Sequence, residues 1–449
     1  MREYSGLLTD LYELTMAAGY LQTGFDATAT FELFVRNLPP HRNYLVAAGL
    51  DQALAFLENV QFTPEEITYL RSNPVFGNIR GEFFDYLGKF LFTGDVWAML
   101  EGSLVFPGEP MLRVNAPIIE GQIVETYLLA TLSYQTMIAS KAARLVTAAQ
   151  GRPIVEFGAR RAHGPLASMM AARAAAIGGC MGTSNVLAGQ TFGVDTYGTQ
   201  AHSWVMAHED EAEAFRHFLD VFPQNAYLLL DTYDPHNAVR KIIAMGRKPA
   251  GVRLDSGDLV KDSQWVRKEL DRAGWQDVKI FASGDLDEFR ITELLKEGAK
   301  FDSFGVGTAL ATPGDAPHLN LVYKLVEVER GGKVREAAKL TAAKVTYPGR
   351  KQVFRYSSKN GEYSGDRIAL DGESPNGGEP LLVQVMRNGK RVVAPEPIAA
   401  LRERCTVGLA RLPEKYRRID RSASYPVKYG KTLERMLDKV RRRVKKSAI

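Results

Sequence analysis

Ala226-Tyr227-Leu228-Leu229-Leu230-Asp231, then a helix-like stretch over 235–246, then Gly251-Val252-Arg253-Leu254-Asp255: this passage decides the fold. Two runs without polar alternation, each ending in an acid, flank a segment whose apolar residues recur at helical spacing. Runs apolar on both faces suit parallel strands covered by helices. The same beat continues on either side. Apolar runs at 153–157, 278–281 and 301–304, with shorter candidates near Cys180-Met181 and Val194-Asp195, alternate with helix-like stretches at 161–177, 209–221, 262–273 and 287–297. This alternation over 151–318 predicts a parallel α/β array. Seven candidate strands fit a closed, slightly irregular α/β barrel, with an open doubly wound sheet as the alternative.

The flanks read differently. Residues 1–120 contain strand-like stretches at 29–35 and 95–100, interrupted by Pro107-Gly108-Glu109-Pro110, and a long helical pattern over 121–150 links them to the barrel. Over 319–427 strand-like runs return around Arg330-Gly331-Gly332, Lys359-Asn360-Gly361 and Arg387-Asn388-Gly389, which are hairpin turn signals. A second α+β domain built from both ends of the chain is expected.

Composition narrows the class. The 449 residues are 45% hydrophobic and 24% charged, ordinary for a globular protein of more than one domain. No apolar run is long enough to span a membrane, and the start Met1-Arg2-Glu3-Tyr4-Ser5-Gly6 has no apolar leader, so a cytoplasmic protein is expected. Cys180 and Cys405 are too few for a disulfide framework and lack metal-ligand spacing. The net charge of +5 is concentrated in a basic helical tail, 428–449, whose nine Lys/Arg against two acids leave about −2 elsewhere. No aromatic residues interleave with its basic run Arg441 to Lys446, so no nucleic-acid partner is expected.

In a parallel barrel, functional groups collect where strands end. Those ends carry Arg160 and Arg161; Ser184 and Asn185; His202 and Ser203; Asp231 and Asp234; Arg253, Asp255 and Asp258; Ser283, Gly284 and Asp285; and Gly305, Gly307 and Thr308. Cations, acids, one imidazole and glycines suit an anionic, polyhydroxylated substrate. Plainer readings stand beside this one. The Asp231–Asp234 cluster also fits a helix cap, Gly305-Val306-Gly307 fits a tight turn, and Arg253 with Asp255 fits a structural ion pair. Asp255-Ser256-Gly257-Asp258 lacks the bidentate glutamate of a calcium loop.

The order of motifs resembles the nicotinate phosphoribosyltransferase family. Leu8-Thr9-Asp10-Leu11-Tyr12-Glu13-Leu14-Thr15-Met16 looks like its opening, and Glu156-Phe157-Gly158-Ala159-Arg160-Arg161, Gly182-Thr183-Ser184-Asn185, Gly198-Thr199-Gln200-Ala201-His202-Ser203-Trp204, Gly251 to Asp258, Ala282 to Asp285 and Phe304 to Thr308 follow in order. Val322 to Val326 and Lys344 to Gly349 extend the likeness, which covers roughly residues 5 to 360. The resemblance implies a type II phosphoribosyltransferase fold working as a homodimer with shared active sites. It implies synthesis of nicotinate mononucleotide and pyrophosphate from nicotinate and phosphoribosyl pyrophosphate in NAD salvage, with Mg²⁺, and with ATP hydrolysis coupled through a phosphohistidine at His202. An imidazole is nucleophilic near neutral pH, and its phosphoramidate is labile enough to hold phosphate only briefly. Asp231 or Asp255 is expected to hold the ring tautomer.

The remaining roles carry over by position. Phe157 and Tyr12, the latter from the other subunit, resemble the pair that sandwiches the pyridine. Arg160, Arg161 and Arg253 serve the carboxylate and a nearby phosphate, Asp285 with Gly284 the ribose, and Gly305, Gly307 and Thr308 the 5′-phosphate. Ser203 belongs to the histidine motif, and Arg36 is a weaker candidate for pyrophosphate. Ser184 stands where the related nicotinamide enzyme has an aspartate, which would repel a carboxylate. Pro39-Pro40-His41-Arg42 departs from the family's glycine-containing segment, leaving Arg42 without a role, and two cysteines cannot form the zinc site of some members. The rival readings are a nicotinamide phosphoribosyltransferase of the same fold, a quinolinate enzyme with a more basic pocket, a barrel aldolase (for which no strand-end lysine is present) and a non-catalytic nucleotide-binding barrel.

Overall fold

The computed structural model describes residues 4–341 and 344–447. Met1-Arg2-Glu3, part of the start read as leaderless, lies outside the described residues, as do 342–343 and the tail's last two positions. Six strands form an all-parallel sheet in the order Gly182–Thr183, Ile154–Glu156, Ser303–Val306, Lys279–Ala282, Gly251–Leu254, Tyr227–Leu229. A seventh segment joins its first edge through one parallel bridge, Thr183 to Thr196. Among the described residues no ladder connects Thr196 to the far edge at Tyr227.

Four strands form within a residue or so of the runs read from the sequence, while Ser303–Val306 and Gly182–Thr183 begin two residues later than expected. The side chains are covered on both faces, with Leu228, Leu229, Val252, Leu254, Ile280, Phe304 and Val306 all fully buried. Three of the following helices start on an aspartate whose side chain accepts from a first-turn amide. These are Asp234 before Pro235–Ala244, Asp258 before Leu259–Arg272 and Asp287 before Glu288–Lys296. The 231–234 cluster thus divides its work. Asp234 is the cap, and Asp231 is free to face the next strand end.

The second unit draws on both ends of the chain. Its seven-stranded antiparallel sheet runs Lys333–Glu336, Leu321–Arg330, Thr28–Val35, Pro110–Pro117, Asp95–Met99, Leu382–Arg387, Lys390–Arg391. All three glycine turns read from the sequence are hairpins. At one of them Asn388 and Gly389 both take positive φ (48° and 71°), as a two-residue hairpin turn demands. Between this sheet and the parallel α/β unit lies the helix Glu125–Ala148, whose segment 135–145 is buried throughout. The tail folds as Lys431–Ser447. It is more than a solvated helix end, since Leu433, Leu437 and Val440 are buried and Lys439 pairs with Glu336 at 3.0 Å. No helix among the described residues is long and apolar enough to cross a membrane.

Arg42 gains a place here. With Lys141 and Arg144 of the linking helix it encloses Glu288: Arg144 Nε donates to Oε1 at 2.9 Å, Arg42 to the same oxygen at 3.3 Å, and Lys141 Nζ lies 2.5 Å from Oε2. Burial works against the charge on Glu288, yet Lys141 and Arg144 hold its carboxyl down at about 2. A depressed folded-state pKa gives stability that is complete above the ordinary 4.5 and is lost as pH falls through about 2. Glu288→Gln, which leaves three buried cations facing one carboxylate, should cost about 3–5 kcal/mol at neutral pH. Urea unfolding at pH 7 and pH 3 checks this: the variant's deficit should shrink in acid, and an equal deficit at both would refute the assignment.

Candidate active site

The strand ends open into a cavity of about 790 Å³. Of the residues singled out from the sequence, it brings together Phe157, Arg160, Arg161, Ser184, His202, Ser203, Arg253, Asp255, Ser283, Gly284, Asp285, Gly305, Gly307 and Thr308. Asp231 stands just behind the wall, while Tyr12 and Arg36 lie elsewhere.

Arg253 is the hub. It leaves the strand Gly251–Leu254 with its guanidinium donating to Ser283 Oγ (2.7 Å), Thr199 Oγ1 (2.8 Å) and Asp255 Oδ1 (2.6 Å). Three loops from three strand ends are thereby fixed to one planar cation. Burial disfavours the charged form of Asp255, but the Ser283 hydroxyl and Arg253 outweigh it and hold the carboxyl below its usual value. The structural ion pair read from the sequence is therefore present, and Arg253 makes it while lining the cavity. Its cation also lies 5.9 Å from the centre of the Phe157 ring, which packs at 5.5 Å against Phe281.

His202 begins the short helix His202–Met206 and is partly exposed to the cavity. The expected acid partner is not what holds its ring. Thr232 Oγ1 lies 3.2 Å from Nδ1, and Nε2 faces Asp255 Oδ2 at 3.9 Å. Asp231 instead accepts from the Asp255 amide (3.1 Å) and Ser256 Oγ (2.5 Å), and its other oxygen is buried without a hydrogen-bond partner. Arg160 and Arg161, both exposed, make no ion pair among the described residues, which leaves two cations for an anionic ligand.

The glycines carry geometry. A Cβ at Gly305 would lie 2.7 Å from the Phe157 ring and 2.8 Å from Phe281, so only glycine lets those rings close over the strand. Gly284 has φ +88°, and Asp285 beside it is also left-handed at +45°.

Tyr12 is half exposed on the helix Leu11–Gln22 and does not line the cavity. Arg36 follows the strand Thr28–Val35, where its backbone N–H donates to Asn320. Sequence reading passed over several residues. Thr232 and Thr199 are hydroxyls one position from Asp231 and three from His202 respectively, the residues that drew notice. Glu156, fully buried, accepts from the Gly158 amide and from Thr183 Oγ1, tying the Phe157 loop to the Ser184 loop. An acid ending an otherwise apolar strand was its signal. Gln200 also lines the cavity, buried with neither amide atom partnered.

Profiles of three domains match in chain order: the nicotinate phosphoribosyltransferase N-terminal domain over residues 7–133, the family's main domain over 153–367 and its C-terminal domain over 377–437. A nicotinate phosphoribosyltransferase of Mycobacterium tuberculosis is 44% identical over 436 residues, covering 95% of this chain and 92% of its own. The chain belongs to the nicotinate phosphoribosyltransferase family. Another of that name from Bacillus subtilis is 43% identical over 381 residues, or 82% of this chain and 77% of its own. Among solved structures, human nicotinic acid phosphoribosyltransferase superposes with a TM-score of 0.83 at 29% identity, covering 96% of this chain and 99% of the other. The nicotinate-nucleotide pyrophosphorylase of Pyrococcus furiosus gives 0.74 at 29% identity over 90% and 95%. The family's part in NAD biosynthesis accords with a cavity rich in cations and glycine amides.

Proposed function

We propose that the protein joins nicotinate to phosphoribosyl pyrophosphate in NAD salvage, and that ATP hydrolysis drives the reaction through a phosphate carried on His202. The observation that carries this reading is the Asp255 carboxylate, which accepts from Arg253 through one oxygen and faces His202 Nε2 at 3.9 Å with the other. It links a cation for substrate to an imidazole poised beside it.

In this reading the pyridine lies on Phe157, with Tyr12 of the partner subunit covering its other face and Arg160, Arg161 and Arg253 holding the carboxylate. Asp285 and Gly284 take the ribose hydroxyls, and the amides of Gly305, Gly307 and Thr308 take the 5′-phosphate. The ring nitrogen bonds to C1′ as the C1′–O bond to pyrophosphate breaks, through an oxocarbenium-like state stabilised by positioning and electrostatics. In a separate step His202 attacks the γ-phosphorus of ATP, a P–N bond forms and ADP departs. Water later cleaves that bond and releases phosphate. Mg²⁺ suits the unpartnered oxygen of Asp231 beside Asp255, since it favours one or two carboxylates plus substrate phosphates, and it would offset phosphate charge there. A homodimer is supported by the placement of Tyr12 outside its own cavity and by the exposure of Leu166, Val186 and Leu187, which follow the loops at the cavity mouth.

The test is an assay of purified enzyme with phosphoribosyl pyrophosphate, ATP and Mg²⁺, nicotinate and nicotinamide being run side by side. Nicotinate should yield mononucleotide and pyrophosphate in equal amounts. Equal use of nicotinamide would sink the substrate assignment. Ser184→Asp places a second carboxylate in the cavity, so the KM for nicotinate should rise roughly 10- to 100-fold while kcat changes less.

A further inference from the structure

We propose that the buried ion network of Arg42, Lys141, Arg144, Glu288 and Asp315 is a positioning device for phosphoribosyl pyrophosphate, operated from outside the barrel. This rests on the assignment of Gly284–Asp285 to the ribose and of Gly307–Thr308 to the 5′-phosphate. Each of those turns is followed closely by one of the network's two carboxylates. Glu288 is the first residue of the helix after Asp285 and is fully buried. Asp315 lies in the loop that follows the short helix Thr308–Ala311.

Two cations each span both carboxylates. Arg42 lies 3.3 Å from Glu288 and 2.7 Å from Asp315, and Lys141 lies 2.5 Å and 3.0 Å from the same pair. The separation of the two turns is thus set by side chains from a loop before residue 45 and from the linking helix. Arg144 adds a third contact to Glu288 and also donates to the His41 carbonyl at 2.7 Å, anchoring the loop that presents Arg42.

The Gly284–Asp285 turn needs such an anchor. Two successive residues hold positive φ, a conformation that persists for a non-glycine residue only where its surroundings fix it. On one side Ser283 is tied to Arg253 and Asp255. On the other, Asp287 caps the helix and Glu288 locks its first turn into the network. None of the five residues lines the substrate cavity. They are positioning residues.

Arg42→Met removes one of the two cations that span both carboxylates and leaves Lys141 as the other, and Arg42→Lys keeps the charge. Asp315→Asn, at a partly exposed position, is the gentler lesion if Arg42→Met does not fold. The expected result for Arg42→Met is a KM for phosphoribosyl pyrophosphate raised about tenfold, with the KM for nicotinate within about twofold and substantial recovery in Arg42→Lys. A purely structural role would lower Tm and the yield of active enzyme without separating the two KM values, and that outcome would overturn the proposal. Asp285→Asn, run in parallel, separates the two layers of inference. If it leaves the KM for phosphoribosyl pyrophosphate unchanged, the ribose assignment is wrong. If it raises that KM while neither Arg42→Met nor Asp315→Asn does, the assignment holds and the network has no positioning role.

Discussion

His202→Ala should eliminate ATP stimulation of mononucleotide synthesis, with ATP hydrolysis falling on the order of 10³-fold or more and a slow ATP-independent transfer remaining. The split follows from the geometry. The residues assigned to the pyridine and the phosphoribosyl group, Phe157, Arg253, Asp285 and Gly305, make no hydrogen bond to the imidazole, whose ring contacts are Thr232 at Nδ1 and Asp255 near Nε2. Truncation to alanine removes the nucleophile and leaves the Arg253–Asp255–Ser283 triangle closed. With γ-labelled ATP, the wild type should carry an acid-labile, alkali-stable phosphate that maps to the peptide containing His202. Full ATP stimulation in the alanine variant, or label on another residue, would mean that the coupling runs elsewhere. In the tautomer whose Nδ1–H donates to Thr232 Oγ1, Nε2 holds the free lone pair and is the attacking atom.

Most of the parallel α/β array was legible because its strands are apolar on both faces and three of its helices begin on aspartates, two signals that depend only on neighbouring residues. The strand ends then located the cavity wall, since chain direction fixes which end of every parallel strand faces the site. Relations between distant residues were not legible. Nothing local in Arg42 announces a partner at Glu288, 246 positions away. Thr232 was passed over for Asp231 because carboxylates are the stronger acceptors, yet the backbone turns Asp231 toward Ser256 and leaves the hydroxyl facing the ring. The tail was read only as a basic helix because its Lys and Arg outnumber the three apolar side chains that dock it. Long-range pairing of this kind depends on the fold having already formed, and composition carries no trace of it.

Gly284→Ala should be the most damaging conservative substitution in the site, with kcat/KM reduced at least about 100-fold. The added Cβ would sit 1.8 Å from the Asp255 carbonyl oxygen and 2.8 Å from its carbonyl carbon. Those are backbone atoms, so no side-chain rotation relieves the contact. Either the 283–285 turn retreats and carries Asp285 away from the ribose, or the 253–255 strand end yields and Arg253 loses its alignment with Ser283 and Thr199. The φ of +88° adds a further penalty of about 1–2 kcal/mol for any residue with a Cβ. Gly246→Ala isolates that penalty, because Gly246 has φ +66° with nothing within 4 Å of its would-be Cβ. It should lower Tm by a few degrees and leave kcat/KM intact. Gly81→Ala, with neither positive φ nor a neighbour within 4 Å, should change neither quantity. If Gly284→Ala behaves like Gly246→Ala, losing stability and keeping turnover, then close approach of the two strand ends is not what organises this site, and Arg253 alone must align the loops.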